Sequence, residues 1–135
     1  MKKLLSTKYS AGAFNFAMLL VRLVFGILIM NHGYDKLIHF GDRHGSFMNF
    51  LGIGSALSLA LVVFAEFFCG LFVILGLFTR FSVIPIIIVL AVAIIKAHHN
   101  AIFGDAQPAT LFLTGFFVLL IVGPGRVSVD SMIGG

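Results

Sequence analysis

Long apolar runs alternate with short polar stretches along the whole chain. A helix of about 20 residues spans the ~30 Å hydrocarbon layer of a bilayer, and continuous runs are typical of helices, unlike the alternating pattern of a β-barrel. The chain therefore predicts an all-α membrane protein, a four-transmembrane-helix bundle. The four runs are Tyr9–Tyr34, Gly45–Thr79, Phe81–Ile95 and Ala106–Gly125.

The helices themselves are predicted at about residues 12–33, 55–79, 82–98 and 107–123, within a single transmembrane domain over residues 1–135. Lys96 can extend the third helix by snorkelling. Pro85 and Pro108 are expected in the first turns of the third and fourth helices, where a missing N–H is tolerated. Gly123-Pro124-Gly125 should end the last helix.

Composition supports membrane insertion, since 60% of the residues are hydrophobic and 10% are charged. The net charge of +4 does not indicate nucleic-acid binding, because the basic residues lie at helix ends and not along one face. By the positive-inside rule, the end with more basic residues faces the cytoplasm, which predicts that both termini are cytoplasmic. That end carries Lys2, Lys3, Lys8, Arg80 and Arg126, against Lys36, Arg43 and Lys96 at the other end.

Arg22 and Glu66 interrupt the first and second apolar runs near their centres. A charge at the bilayer centre costs about 2.5 to 3.5 kcal/mol, so two opposite charges are expected to pair. We predict an intramembrane Arg22–Glu66 ion pair, with Gly26 and Gly70 letting the two helices approach closely. The pair can be purely architectural, or it can form the polar floor of a cavity that opens on the outer side of the membrane.

Histidines are the second candidate group, and the predicted topology places all five on the outer side. His32, Lys36 and His39 share one helical face if the first helix continues that far, and Lys96, His98 and His99 end the third helix. Such a rim can bind a metal, accept protons, hold a quinone or lipid head, or simply lie at headgroup level. No standard ligand spacing is present, so no metal site is assigned.

Several short motifs recur in one order along the chain: Arg22-x-x-x-Gly26, His32-Gly33-x-x-Lys36-Leu37, Glu66-x-x-x-Gly70, Gly76-Leu77-x-Thr79-Arg80 and Gly123-Pro124-Gly125-x-x-Ser128-x-Asp130. In this combination the chain resembles the DoxX family of small bacterial membrane proteins. The resemblance implies four transmembrane helices and a multi-pass protein of the bacterial cytoplasmic (inner) membrane. Relatives often carry a glutamate near the start of the fourth helix, where this chain has Gln107.

The resemblance implies a non-catalytic subunit of a membrane redox or oxidative-stress complex, which is not an enzyme alone but serves redox partner proteins. The chain should hold no cofactor of its own, and a quinone is the ligand expected in its cavity. The alternative is a binding or transport module for a small apolar or lipid-like molecule, with a structural Arg22–Glu66 pair. The candidate cavity residues are Arg22, His32, Lys36, Glu66, His98 and Gln107, and no residue is assigned as catalytic.

Overall fold

A computed structural model describes residues 4–43, 54–97 and 107–134. Within these ranges the ordered elements are all helical, as the sequence predicts. In chain order they are α1 (Ala11–Ile38), α2 (Phe40–Arg43), α3 (Ser55–Val63), a π-helical segment π1 (Phe64–Cys69), α4 (Gly70–Leu75), α5 (Thr79–Val92), a second π-helical segment π2 (Ala93–Ala97), α6 (Gln107–Val122) and α7 (Val129–Gly134).

Two of the described helices are long and apolar enough to cross a bilayer. They are Ala11–Ile38 and Ala56–Leu75, the second being continuous through α3, π1 and α4. Thr79–Ile95 and Gln107–Val122 are also apolar but shorter. The helical class and the membrane-compatible lengths agree with the sequence pattern.

Helix α1 runs five residues beyond its predicted end near residue 33. It begins where the Ser10 hydroxyl accepts a hydrogen bond from the Ala13 N–H, a standard N-cap. Because the helix continues to Ile38, His32 and Lys36 do lie on one helix, and His39 is its C-cap. Its buried positions recur every three or four residues and face π1 and α4: Met18, Arg22, Gly26, Ile29 and Gly33.

The second long helix ends at Leu75, earlier than predicted, because Gly76 adopts the left-handed conformation at φ 71°. The Leu77 N–H donates to the Phe72 carbonyl at 2.8 Å and the Gly76 N–H donates to the Val73 carbonyl at 3.1 Å, which is the Schellman arrangement. Glycine favours this φ because it has no Cβ.

Helix α5 begins at Thr79 and not at residue 82, so Pro85 lies inside the helix. The expectation that Pro85 occupies the first turn is therefore wrong. The earlier start follows from a cap that the local sequence does not show, since the Asp130 carboxylate accepts hydrogen bonds from the Phe78 and Thr79 N–H groups. Pro108 is the second residue of α6, and α6 ends before Gly123, as predicted.

The apolar core lies between α1, α4, α5 and α6. Gly115 allows the Phe25 ring to pack directly on α6, where any larger residue would collide with the ring. Phe25 meets Phe112 and Phe116 edge to face at centroid distances of 6.0 and 5.9 Å. These contacts fasten α1 to α6, while α5 packs along α6.

Candidate functional site

Arg22 lies at the centre of a closed polar cluster near one end of the helices. Arg22 is 2% exposed. The Nε–H donates to the Val73 carbonyl at 3.1 Å and an Nη2–H donates to the Ile74 carbonyl at 2.9 Å. The Nη1 group donates to the Pro124 carbonyl at 3.1 Å and to the Val127 carbonyl. Four backbone carbonyls from two separate segments thus surround one guanidinium.

These carbonyls are available because the segments around them stop being helical. The last four carbonyls of a helix lack intrahelical partners and carry the negative end of the helix dipole. Val73 and Ile74 are among the last residues of α4, and Pro124 and Val127 follow the end of α6. A planar guanidinium with five N–H donors can satisfy several of them at once. We name Arg22 and these four carbonyl residues the Arg22 cluster.

The chain after α6 closes this cluster by bonding back to the turn between α4 and α5. The Asp130 N–H donates to the Gly76 carbonyl at 2.8 Å, while its carboxylate caps α5. The Arg126 N–H donates to the Asn15 side chain on α1 at 3.0 Å. The start of α1, the α4–α5 turn and the tail therefore lie at the same end of the molecule.

Lys36 and Glu66 form a second polar site, 14 residues or about 21 Å further along α1. The Lys36 ammonium donates to a Glu66 carboxylate oxygen at 2.5 Å. The Glu66 side chain is 6% exposed and the Lys36 side chain 24% exposed. The carboxylate is therefore enclosed, whereas its cationic partner reaches the surface.

Glu66 belongs to π1, and Gly33 of α1 packs directly against that segment. A Cβ on Gly33 would lie 2.5 Å from the Phe67 amide nitrogen and 2.8 Å from the Glu66 carbonyl carbon. The helices can approach this closely only because residue 33 lacks a side chain. π-Helical turns are rare in proteins, and those that do occur are often found at functional sites.

A cavity of about 580 Å³ borders Lys36, and its lining residues are Asn31, His32, Tyr34, Asp35, Lys36 and Ile38. Aromatic rings flank it. His32 meets Phe112 of α6 edge to face at 5.6 Å, and Tyr34 lies 6.2 Å from Phe67 of π1. The site thus combines an exposed ammonium, an enclosed carboxylate and aromatic surfaces.

The predicted ion pair between Arg22 and Glu66 is not formed. Gly26 and Gly70 do meet, since a Cβ on Gly26 would lie 3.3 Å from the Gly70 carbonyl oxygen. In an antiparallel pair this contact places Ile74 opposite Arg22, because one turn towards the start of α1 corresponds to one turn towards the end of α4. Glu66 is then eight residues away, about 12 Å along the axis. The two expected contacts exclude each other, and the structure forms the glycine contact.

The remaining candidates are distributed as follows. His32 lines the cavity beside Lys36, whereas Arg22 belongs to the other cluster. Gln107 is an exposed first residue of α6. His98, like His44 and His99, lies outside the described residues.

Sequence reasoning missed the importance of Gly33 and Asp130. The resemblance motifs contain both residues, but a motif does not state which backbone groups its members contact. Within the described ranges, no three His, Cys, Asp or Glu side chains gather as a metal site would require.

Comparison with known proteins identifies a family profile and two related membrane proteins. The DoxX family profile matches residues 17–99. An uncharacterized membrane protein of Mycobacterium tuberculosis is 30% identical, with 82% of this chain and 77% of the relative aligned. Inner membrane protein YphA of Escherichia coli is 29% identical, with 84% of this chain and 87% of the relative aligned. No solved structure matches the chain. This chain is therefore a membrane protein that belongs to the DoxX family.

Proposed function

We propose that the protein is a multi-pass inner-membrane protein whose Lys36–Glu66 site binds the head group of a quinone. In this proposal the four long helical segments cross the bilayer as a four-helix bundle with both termini in the cytoplasm. The chain acts as a non-catalytic subunit that presents the quinone to redox partner proteins. The observation that carries the proposal is the partly exposed Lys36 ammonium held by the enclosed Glu66 carboxylate at π1.

The helix lengths support four crossings. Helix α1 has 28 residues and rises about 42 Å, more than a bilayer core needs. Helix α6 has 16 residues and rises about 24 Å, which a bilayer accommodates by local thinning and by flanking polar residues. The prediction of cytoplasmic termini rests on the excess of basic residues at the end where the Arg22 cluster lies.

The donor set at Lys36 fits a quinone carbonyl. An ammonium has three N–H donors, and among the described residues one of them is used, by Glu66. The others can donate to a carbonyl oxygen in the adjoining cavity. The ring edges and faces of His32, Tyr34 and Phe67 offer a surface for a flat conjugated head group.

Each residue would have a distinct part in holding such a ligand. Glu66 fixes the position of Lys36, Lys36 hydrogen-bonds the carbonyl, and the exposed His32 imidazole relays protons to the bound ligand. A bound quinone supplies two-electron, two-proton redox chemistry, and the electrons come from a partner protein.

Extraction of copurified small molecules tests this proposal. We expect mass spectrometry of the detergent-purified protein to recover a quinone in stoichiometric amounts. Lys36→Met and Glu66→Gln should each reduce its recovery at least about tenfold, since each removes a charge-assisted hydrogen bond. His39→Gln is the matched control, because His39 lies one turn beyond the ion pair and pairs with Asp35. Equal quinone recovery from all four proteins would contradict the site.

A binding or transport module for a lipid-like molecule is the competing proposal. The Arg22 cluster supports a purely structural role for this arginine in such a module, because the guanidinium hydrogen-bonds four backbone carbonyls. The same extraction distinguishes the two. If a lipid other than a quinone copurifies with the parent protein and is lost from Lys36→Met, the cavity binds lipid. If the variants recover the same ligand in the same amount as the parent, neither the quinone nor the lipid binds at this cavity.

A further inference from the structure

A second cavity lies at the opposite end of the molecule, beside the Arg22 cluster. It has a volume of about 520 Å³ and is bounded by the start of α5, the end of α6 and the tail that follows α6. Its lining includes Arg80, Arg126 and Asp130, together with the aromatic residues Phe78 and Phe81. We name it the tail groove.

Neither arginine of the tail groove forms an ion pair with a carboxylate within the described residues. Arg80 donates from Nη2 to the Val122 and Ile121 carbonyls over long distances of 3.3 and 3.5 Å. The Arg126 side chain forms no hydrogen bond with the described part of the chain, and its backbone N–H alone is used, by Asn15.

Asp130 is the acidic residue of the groove, and its carboxylate oxygens are already occupied. One oxygen accepts from the Phe78 N–H at 2.6 Å and the other from the Thr79 N–H at 2.8 Å. Two guanidinium groups against one engaged carboxylate leave the groove with a formal charge of +1. An anion of single charge complements it.

The rim of the tail groove is apolar and continues along α5. Phe81 is 76% exposed, and Ile84 and Ile88 follow it at helical spacing with 43% and 51% exposure. Positions i, i+3 and i+7 share one helical face. A charged groove therefore adjoins a continuous apolar stripe, which is the pairing of surfaces that a phospholipid presents in its phosphate and acyl chain.

We propose that the tail groove binds the headgroup phosphate of an anionic phospholipid, with Arg80 and Arg126 as donors and an acyl chain along Phe81, Ile84 and Ile88. Guanidinium groups bind phosphate oxygens in bidentate geometry, and basic pockets between transmembrane helices bind anionic lipid heads. The site lies at the opposite end of the helices from Lys36 and Glu66, so it stands independently of quinone binding.

Native mass spectrometry of the full chain in non-ionic detergent tests this assignment. The ligands are dioleoylphosphatidylglycerol, dioleoylphosphatidylcholine and inorganic phosphate. We expect phosphatidylglycerol to bind about tenfold more tightly than phosphatidylcholine, and Arg80→Gln and Arg126→Gln each to weaken it about fivefold, the effect of one basic residue near an anionic surface. The double variant should lose the preference.

Lys8→Gln is the matched control, since Lys8 is an exposed basic residue that lies outside the lining of the groove. It should change the affinity for phosphatidylglycerol less than about twofold. The conservative variants Arg80→Lys and Arg126→Lys keep the charge but lose the bidentate N–H donors of the guanidinium. Their affinity for phosphatidylglycerol should lie between those of the parent and of the glutamine variants. A melting curve for each variant checks that it is folded.

Two results would overturn the assignment. In the first, the folded double variant retains the full preference for phosphatidylglycerol, which would show that the arginines do not hold the headgroup. In the second, inorganic phosphate competes with phosphatidylglycerol at equal concentration with the same arginine dependence, which would assign the groove to free phosphate.

Discussion

The two cations of helix α1, Arg22 near its middle and Lys36 near its end, have opposite surroundings. Arg22 is enclosed and bonded to four carbonyls from two segments. Lys36 holds one carboxylate and keeps part of its ammonium at the surface. A charge with four of its five N–H donors engaged fixes structure, whereas an ammonium with two of its three donors to spare among the described residues can bind something else. The comparison favours an architectural role for Arg22 and supports the ligand-binding role that we propose for Lys36.

The largest effect should come from removing the enclosed charge. Arg22→Gln removes the guanidinium donor from four carbonyls, although that of Val73 still accepts from the Gly76 N–H, and we expect it to lower the free energy of unfolding by about 3 kcal/mol or more. Unfolding in mixed detergent micelles, followed by circular dichroism, measures this loss. Lys36→Met is the comparison variant, and a loss for Arg22→Gln no larger than for Lys36→Met would refute the distinction between the two cations.

Widening the contact between α1 and π1 should have the next largest effect. An alanine at position 33 would press its Cβ on the backbone of Glu66 and Phe67, so Gly33→Ala is expected to cost about 2 kcal/mol as overpacking. The same variant should weaken the Lys36–Glu66 contact and lower the recovery of the copurified ligand.

Gly12→Ala provides the control for Gly33→Ala. A Cβ on Gly12 would have no neighbour within 4 Å, although this residue also lies in α1. Its thermal midpoint should equal or exceed that of the parent, since alanine favours helix more than glycine does. If the two alanine variants melt at the same temperature, the close approach at Gly33 does not hold the helices.

The smallest effect should be the coupling energy within the partly exposed Lys36–Glu66 pair. A double-mutant cycle with Lys36→Met, Glu66→Gln and the double variant is expected to give about 1 kcal/mol of coupling in the free energy of unfolding. Ligand recovery should fall much more than stability does. Coupling above about 3 kcal/mol would place this pair with the structural charges instead.

The helical class could be predicted from the sequence because the apolar runs are long and continuous. The end of α6 before Gly123 and the position of Pro108 in its first turn also follow from local chemistry. The start of α5 was not predictable in this way. Its cap, Asp130, lies more than 50 residues away along the chain, and a local pattern carries no information about such a partner.

The site shows the same division between local and non-local information. The sequence identified Arg22, Lys36, Glu66 and the Gly26–Gly70 contact, but it assigned Glu66 to the wrong cation. The register of two antiparallel helices decides this assignment, because the Gly26–Gly70 contact places Ile74, and not Glu66, opposite Arg22. Backbone carbonyls as partners for Arg22 leave no signature in side-chain identity.

The position of Pro124 and Val127 has a consequence for biosynthesis. They follow Arg22 by 102 and 105 residues, so the ribosome makes half of the arginine's acceptors long after the arginine itself. At about 5 to 20 residues per second this delay is roughly 5 to 20 s. During that interval the nascent first helix must be tolerated in the membrane with its cation only partly accommodated. Assembly of this protein is therefore complete only after its carboxyl-terminal segment has been made. A chain stalled before residue 124 would expose a charged helix to quality control.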